Sequence, residues 1–220
     1  MTKLVNFSIA DIFTIINGVL GLIAIFFLLR ERVDISFNLI LLSVLADGMD
    51  GIIARRMGHS GGHLDELADA ISFSIAPSVM IYIVSDLQIF FRLAICSIFC
   101  ICGIIHLIRY YFGEKDYFIG ITTPSAALFM IVLMYLQIDS VILFSATIIV
   151  STLMISPILY PKLEGRFAII AAVLIFLSLI VGERYGGFAL ILLLTGVIIY
   201  IIFGPFYLKA KFSKQKIHSY

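Results

Sequence analysis

Asp47 and Asp50, three residues apart, and Asp65 and Asp69, four apart, stand in a chain that is otherwise close to hydrocarbon. An Asp near a bilayer centre costs about 2.5–3.5 kcal/mol, so a cluster of four persists only where something cationic compensates it. Oxygen-only ligands suit Mg²⁺, Mn²⁺ or Ca²⁺ rather than zinc. The competing reading puts these residues at helix ends, paired with Arg55 and Arg56. Gly51 and Ala54, interleaved among the acids, favour a site, and the alternating acids and closing Glu of an EF-hand loop are missing.

On an α-helix each residue advances about 100°, so Asp50, Gly51, Ala54 and Arg55 all fall on the side that Asp47 occupies. Asp65 and Asp69 lie one turn apart on the following helix, with Ser72 and Ala76 continuing their stripe. Two facing helices thus offer four carboxylates to one space, and Gly51 with Ala54 leaves room for a flat group against the backbone.

Elements that position such a site must be membrane spans. Of 220 residues, 62% are hydrophobic and 13% charged, and the mean hydropathy is +1.14, far from a soluble domain. The net charge of +1 argues against a nucleic-acid binder. A span needs about 20 apolar residues, which predicts an all-α polytopic bundle of about eight transmembrane helices. Their approximate limits are 10–29, 35–57, 62–85, 89–112, 122–138, 140–159, 166–182 and 186–207. Short loops predict one compact transmembrane domain over 10–207, with 1–9 as an interfacial segment and 208–220 as a basic tail. No small-residue cleavage site follows the first helix, which reads as a retained span.

Lys and Arg set the orientation. With a cytoplasmic amino terminus, one side holds Lys3, Arg55, Arg56, Arg109, Lys115, Lys162, Arg166, Lys209, Lys211, Lys214 and Lys216, against Arg30, Arg32, Arg92 and Arg184 on the other. This excess predicts a cytoplasmic-membrane protein with both termini and the acidic site, at one end of the first helices, toward the cytosol.

Asp47, Asp50, Gly51, Ala54, Arg55, Gly61, Asp65 and Asp69 match the pattern D-x-x-D-G-x-x-A-R followed by G-x-x-x-D-x-x-x-D, and here the chain resembles the CDP-alcohol phosphatidyltransferases. Five residues separate Arg55 from Gly61, where that family usually has seven or eight. Leu67-Ala68-Asp69-Ala70-Ile71-Ser72-Phe73-Ser74-Ile75-Ala76-Pro77 and Tyr117–Ala127 are similar to runs of its phosphatidylserine synthase branch, with Thr122 where Pro is more usual. Thr14, Asn17 and Arg109 also sit where that branch carries similar residues. The resemblance spans about residues 10–130; the last spans are generic.

The resemblance implies transfer of the phosphatidyl or archaetidyl group of a CDP-diacylglycerol-type lipid to the hydroxyl of L-serine, with release of CMP. It implies two divalent ions, Mg²⁺ or Mn²⁺, one on Asp47, Asp50 and Asp65 and the other on Asp47, Asp65 and Asp69, with Asp69 as general base. It also implies a homodimer. Gly51 and Ala54 would admit the cytidine, and Arg55 would reach a phosphate or the base. Thr14, Asn17 and Ser60 are weaker candidates for the CDP-lipid, because lone hydroxyls and amides in membrane helices more often bond to neighbouring helices. Arg109 is a candidate for the lipid phosphate or the acceptor's carboxylate, against a plain headgroup anchor. Other acceptors, glycerol 3-phosphate or inositol phosphate, remain open. So does an ion-coupled transporter, although no counterpart of the acidic motif follows residue 130.

The remaining features read as structural. Cys96, Cys100 and Cys102 read as helix packing, and His59 and His63, with no third ligand in view, as loop residues. Lys209, Lys211, Lys214 and Lys216 read as a basic tail on anionic lipid. Pro77 reads as a bend in the third span or as ordinary membrane tolerance of proline.

Overall fold

The computed structural model describes residues 8–57, 63–112, 117–163, 165–182 and 187–217, with 54–57, 110–112 and 213–217 as backbone alone. The chain is a polytopic membrane helix bundle. Helices α1 (Ile9–Leu28) and α2 (Val33–Met57) form an antiparallel pair. The third span is α3 (His63–Asp69), a π segment (Ala70–Ile75) and α4 (Ala76–Val84), continuous over His63–Val84. There follow α5 (Ile89–Phe112), α6 (Thr123–Tyr135), α7 (Ser140–Ile155), α8 (Arg166–Val181) and α9 (Phe188–Ile217).

Among the described residues, five helices are long and apolar enough to cross a membrane: α1, α2, the third span, α5 and α9. The other three are shorter than a full span; α6 and α7 end before the expected 138 and 159, while α8 keeps its expected limits to within one residue. Helix α6 has 13 residues and α7 and α8 have 16 each, which at 1.5 Å per residue is about 20 and 24 Å against a hydrocarbon core of about 30 Å. Helix α6 can be short because protein rather than lipid surrounds it. Almost all of it is buried, and it packs on α7, α9, α4 and α2.

Two departures from the expected elements lie outside the apolar spans. Strands β1 (Tyr117–Ile119) and β2 (Leu159–Pro161) pair antiparallel, with Phe118 opposite Tyr160; three-residue strands leave no periodicity to read. Helix α9 runs on through the basic residues to Ile217 rather than ending near 207, since Lys is a good helix former once the helix leaves the apolar layer.

The start of α1 is fixed by a capping box: Asp11 N–H donates to Ser8 Oγ (3.2 Å) and Ser8 N–H to Asp11 Oδ2 (2.7 Å). Residues 1–7 lie outside the described residues. The π segment ends immediately before Ala76-Pro77. Proline at 77 has no N–H to donate and would clash with the Phe73 carbonyl in a regular α-helix, and one widened turn relieves both. At the opposite end of the bundle, Phe37 stacks on Tyr135 at 4.1 Å. Free Cys96, Cys100 and Cys102 lie along α5.

Candidate metal and catalytic centre

Three helix ends meet on one side of the bundle: the beginning of α1, the end of α2 and the beginning of α3. Asp47 and Asp50 come from α2, Asp65 and Asp69 from α3. One carboxylate oxygen each from Asp47, Asp50 and Asp65 falls within 4.8 Å of the other two. Asp69 stands close enough to all three to interact electrostatically. Asp50 and Asp69 are buried, at 5% and 8% exposure, while Asp47 and Asp65 are half-buried.

Helix α1 supplies donors to this acidic group. Thr14 Oγ1 donates to Asp50 Oδ2 (2.9 Å) and Asn17 Nδ2 to Asp69 Oδ1 (2.9 Å). The two donors thus bind carboxylates from two different helices. Their reach depends on α1 lying tight against the third span. A Cβ on Gly18 would meet Ala68 at 3.3 Å, and one on Gly21 would meet the Ser72 Cα at 2.6 Å. Ser72 Oγ, in the π segment, donates back to the Asn17 carbonyl (2.8 Å). Gly103 of α5 faces Ser74 in the same way, so glycines flank the π segment on both sides.

The donor set fits a hard divalent cation. It consists of oxygens alone, converging within a few ångströms. Asp65 Oδ1 is buried with no hydrogen-bond partner, and a buried carboxylate oxygen left in that state is costly unless a cation takes it up.

The other expected residues distribute unevenly. Gly51 follows Asp50 in α2 and is half-buried. Ala54 and Arg55 are in the last turn of α2, their side chains outside the described set, and Ser60, Gly61 and His59 lie outside the described residues. His63 is exposed at the start of α3. Arg109, near the end of α5, is exposed and donates to the Ile155 carbonyl. Next to it His106, 3% exposed, pairs Nδ1 with the Met154 carbonyl (3.0 Å). The Ile121 N–H meets the Leu153 carbonyl (3.2 Å). Together they cap the last carbonyls of α7, which no residue within that helix can satisfy.

Thr14 and Asn17, weaker candidates for the CDP-lipid in the sequence, make the other contact open to them there, a bond to a neighbouring helix, and in both cases the partner is a carboxylate. The signal for this was available. Thr14, Asn17, Gly18 and Gly21 share one face of α1, a stripe of donors and small residues suited to a close helix neighbour. For the π segment the signal was Pro77; His106 had none.

Residues 7–202 match the family model described as CDP-alcohol phosphatidyltransferase. The chain is 36% identical to the CDP-diacylglycerol–serine O-phosphatidyltransferase of Methanocaldococcus jannaschii, over 90% of this chain and 92% of that one. It is 30% identical to the archaetidylserine synthase of Methanothermobacter thermautotrophicus, over 76% and 75%. It is also 30% identical to the CDP-diacylglycerol–serine O-phosphatidyltransferase of Bacillus subtilis, over 70% and 90%.

Proposed function

The chain belongs to the CDP-alcohol phosphatidyltransferase family, and from that premise we propose that it transfers the phosphatidyl or archaetidyl group of a CDP-diacylglycerol-type lipid to L-serine, releasing CMP. The acceptor is read from the names of the similar proteins above, which are serine transferases or an archaetidylserine synthase. The observation that carries the chemistry is the convergence of Asp47, Asp50 and Asp65 within 4.8 Å, beside an Asp69 held in place by Asn17. An ion-coupled transporter no longer competes.

Asp47, Asp50 and Asp65 would hold one divalent ion and Asp47, Asp65 and Asp69 a second, Mg²⁺ or Mn²⁺. When bound, such ions supply neutralisation of the pyrophosphate and of the charge that develops on the departing CMP oxygen. Asp69 takes the proton of the serine hydroxyl as that oxygen attacks the lipid-side phosphorus. The new P–O bond forms as the bond to CMP breaks, and the proton passes on to solvent. Gly51 would leave space for cytidine at the α2 backbone; the proposed roles of Ala54 beside it, of Arg55 toward a phosphate or the base and of Ser60 toward the CDP-lipid rest on the family pattern. Arg109, already fixed on one side by the Ile155 carbonyl, has further guanidinium donors for the lipid phosphate or the serine carboxylate.

The excess of Lys and Arg at the end of the bundle that carries the site supports a cytosolic orientation in the cytoplasmic membrane. There the site meets water-soluble serine while the donor's tails stay in the bilayer. We read residues 10–207 as one catalytic domain acting as a homodimer.

The test is product formation by purified protein in detergent, supplied with CDP-diacylglycerol, with and without Mn²⁺ or Mg²⁺. Metal-dependent CMP release stimulated by serine, with a serine lipid recovered, is the expected result. Stimulation by glycerol 3-phosphate or inositol phosphate in place of serine overturns the acceptor, and no release with any acceptor from folded protein overturns the proposal.

A further inference from the structure

Thr14 and Asn17 sit one turn apart on α1, and each has its donor on a carboxylate from a different helix. We infer that they are positioning residues, which hold Asp50 and Asp69 in the geometry the site needs, rather than contacts to the nucleotide. This rests on the transferase reading of the same site.

The accessibility of the two side chains carries the first step. Asn17 is 0% exposed and Thr14 5%, so neither presents a free edge to a ligand the size of a nucleotide. Their donors are also committed. A carboxylate accepts only, which assigns the Asn17 nitrogen to Asp69. Thr14 has a single hydroxyl proton, placed between Asp50 Oδ2 at 2.9 Å and the Ala10 carbonyl at 3.2 Å.

The second step concerns what such a bond does to an aspartate. The carboxylate torsion is broad and nearly two-fold, so an unrestrained Asp does not keep one oxygen pointed one way. With Oδ1 of Asp69 tied to Asn17, its other oxygen is left for the chemistry. Asn17 is itself held: Ser72, three residues beyond Asp69 on the same span, donates to its backbone carbonyl at 2.8 Å. Helix α1 and the third span therefore exchange two hydrogen bonds across the Gly18 and Gly21 contacts, one binding Asp69 and one binding the residue that binds it. Outer partners of metal-binding carboxylates act in this way, and their loss typically costs about 10–100-fold in affinity or activity.

Asn17→Leu is the sharpest probe. It keeps nearly the same shape and removes both the donor and Asn17 Oδ1, a buried acceptor with no partner, so it leaves no cavity. In full-length protein in detergent, kcat is expected to fall about 10–100-fold while the KM for CDP-diacylglycerol and the directly measured affinity for CMP stay within about threefold. A wild-type kcat overturns the inference, as does a raised KM or weakened CMP binding with kcat kept, which is the signature of a nucleotide contact. Should Asn17→Leu not fold, Ser72→Ala removes only the bond behind Asn17. It is expected to lower kcat several-fold at unchanged KM, and an unchanged kcat there counts against the inference.

A binding measurement separates this inference from the transferase reading. Mn²⁺ titrated into purified Thr14→Val and followed by electron paramagnetic resonance should show affinity reduced about tenfold. Wild-type Mn²⁺ affinity in that variant overturns the role of Thr14 whether or not the wild-type protein makes a serine lipid. Absence of a serine lipid from wild-type protein that binds Mn²⁺ overturns the reaction alone.

Discussion

Gly21 of α1 faces Ser72 of the π segment so closely that a Cβ at position 21 would stand 2.6 Å from the Ser72 Cα. Because that contact is backbone against backbone, no rotamer change relieves it. The same contact seats the Ser72 hydroxyl on Asn17, so helix packing and the placement of Asp69 are one problem.

Gly21→Ala is therefore expected to push α1 away from the third span. Overpacking of this kind costs about 1–3 kcal/mol, and here it should also lengthen the Asn17–Asp69 bond. Thermal unfolding in detergent should show a lower midpoint, with turnover falling further than the folded fraction does. Wild-type stability and turnover together would show that the helices shift without consequence for the site.

Gly120 is a second position where only glycine fits. Its φ of +89° is one that side chains rarely adopt, and a Cβ there would stand 3.0 Å from the Leu153 carbonyl oxygen and closer still to that of Met154. Gly120→Ala should cost roughly 1–3 kcal/mol, read as a lower unfolding midpoint. A midpoint equal to wild type would mean that the β1–α6 connection rearranges freely.

Asp69→Asn keeps the shape and still accepts from Asn17, yet cannot take a proton. Turnover should fall on the order of 10²–10⁴-fold, while CMP binding at saturating metal stays close to wild type. Retained turnover would remove Asp69 from the role of base.

Removing the metal tests the oxygen cluster directly. EDTA should abolish CMP release, and Mn²⁺ or Mg²⁺ in excess should restore it. Asp65→Asn, which replaces an oxygen pair that includes the buried, unpartnered Oδ1, should need about ten- to a hundredfold more metal for the same rate. Full activity in EDTA would exclude a metal-dependent reaction.

Arg109→Ala separates a helix cap from a substrate contact. Loss of the bond to Ile155 alone lowers the unfolding midpoint and leaves both KM values in place. A lost ligand contact raises the KM of serine or of CDP-diacylglycerol about tenfold, equivalent to about 1.4 kcal/mol, and the substrate whose KM rises is the one Arg109 holds.

The sequence by itself determined the membrane class, the four aspartates and their clustering at adjoining ends of the second and third spans. These follow from composition, from helical periodicity and from the cost of charge in hydrocarbon, all of which act within a few residues of chain. Helix limits for α6 and α7 were less legible, because hydropathy reports how apolar a stretch is and cannot tell whether lipid or protein surrounds it.

Only the tertiary structure decided that Thr14 and Asn17 face Asp50 and Asp69, residues 36 and 52 positions away along the chain, and that Arg109 and His106 cap α7. The close approach of Gly21 to Ser72 in the widened turn after Asp69 goes with the Asn17 contact. A hydrogen bond between helices depends on their separation to within a few tenths of an ångström and on their rotation, and both are fixed by packing from all sides rather than by local spacing.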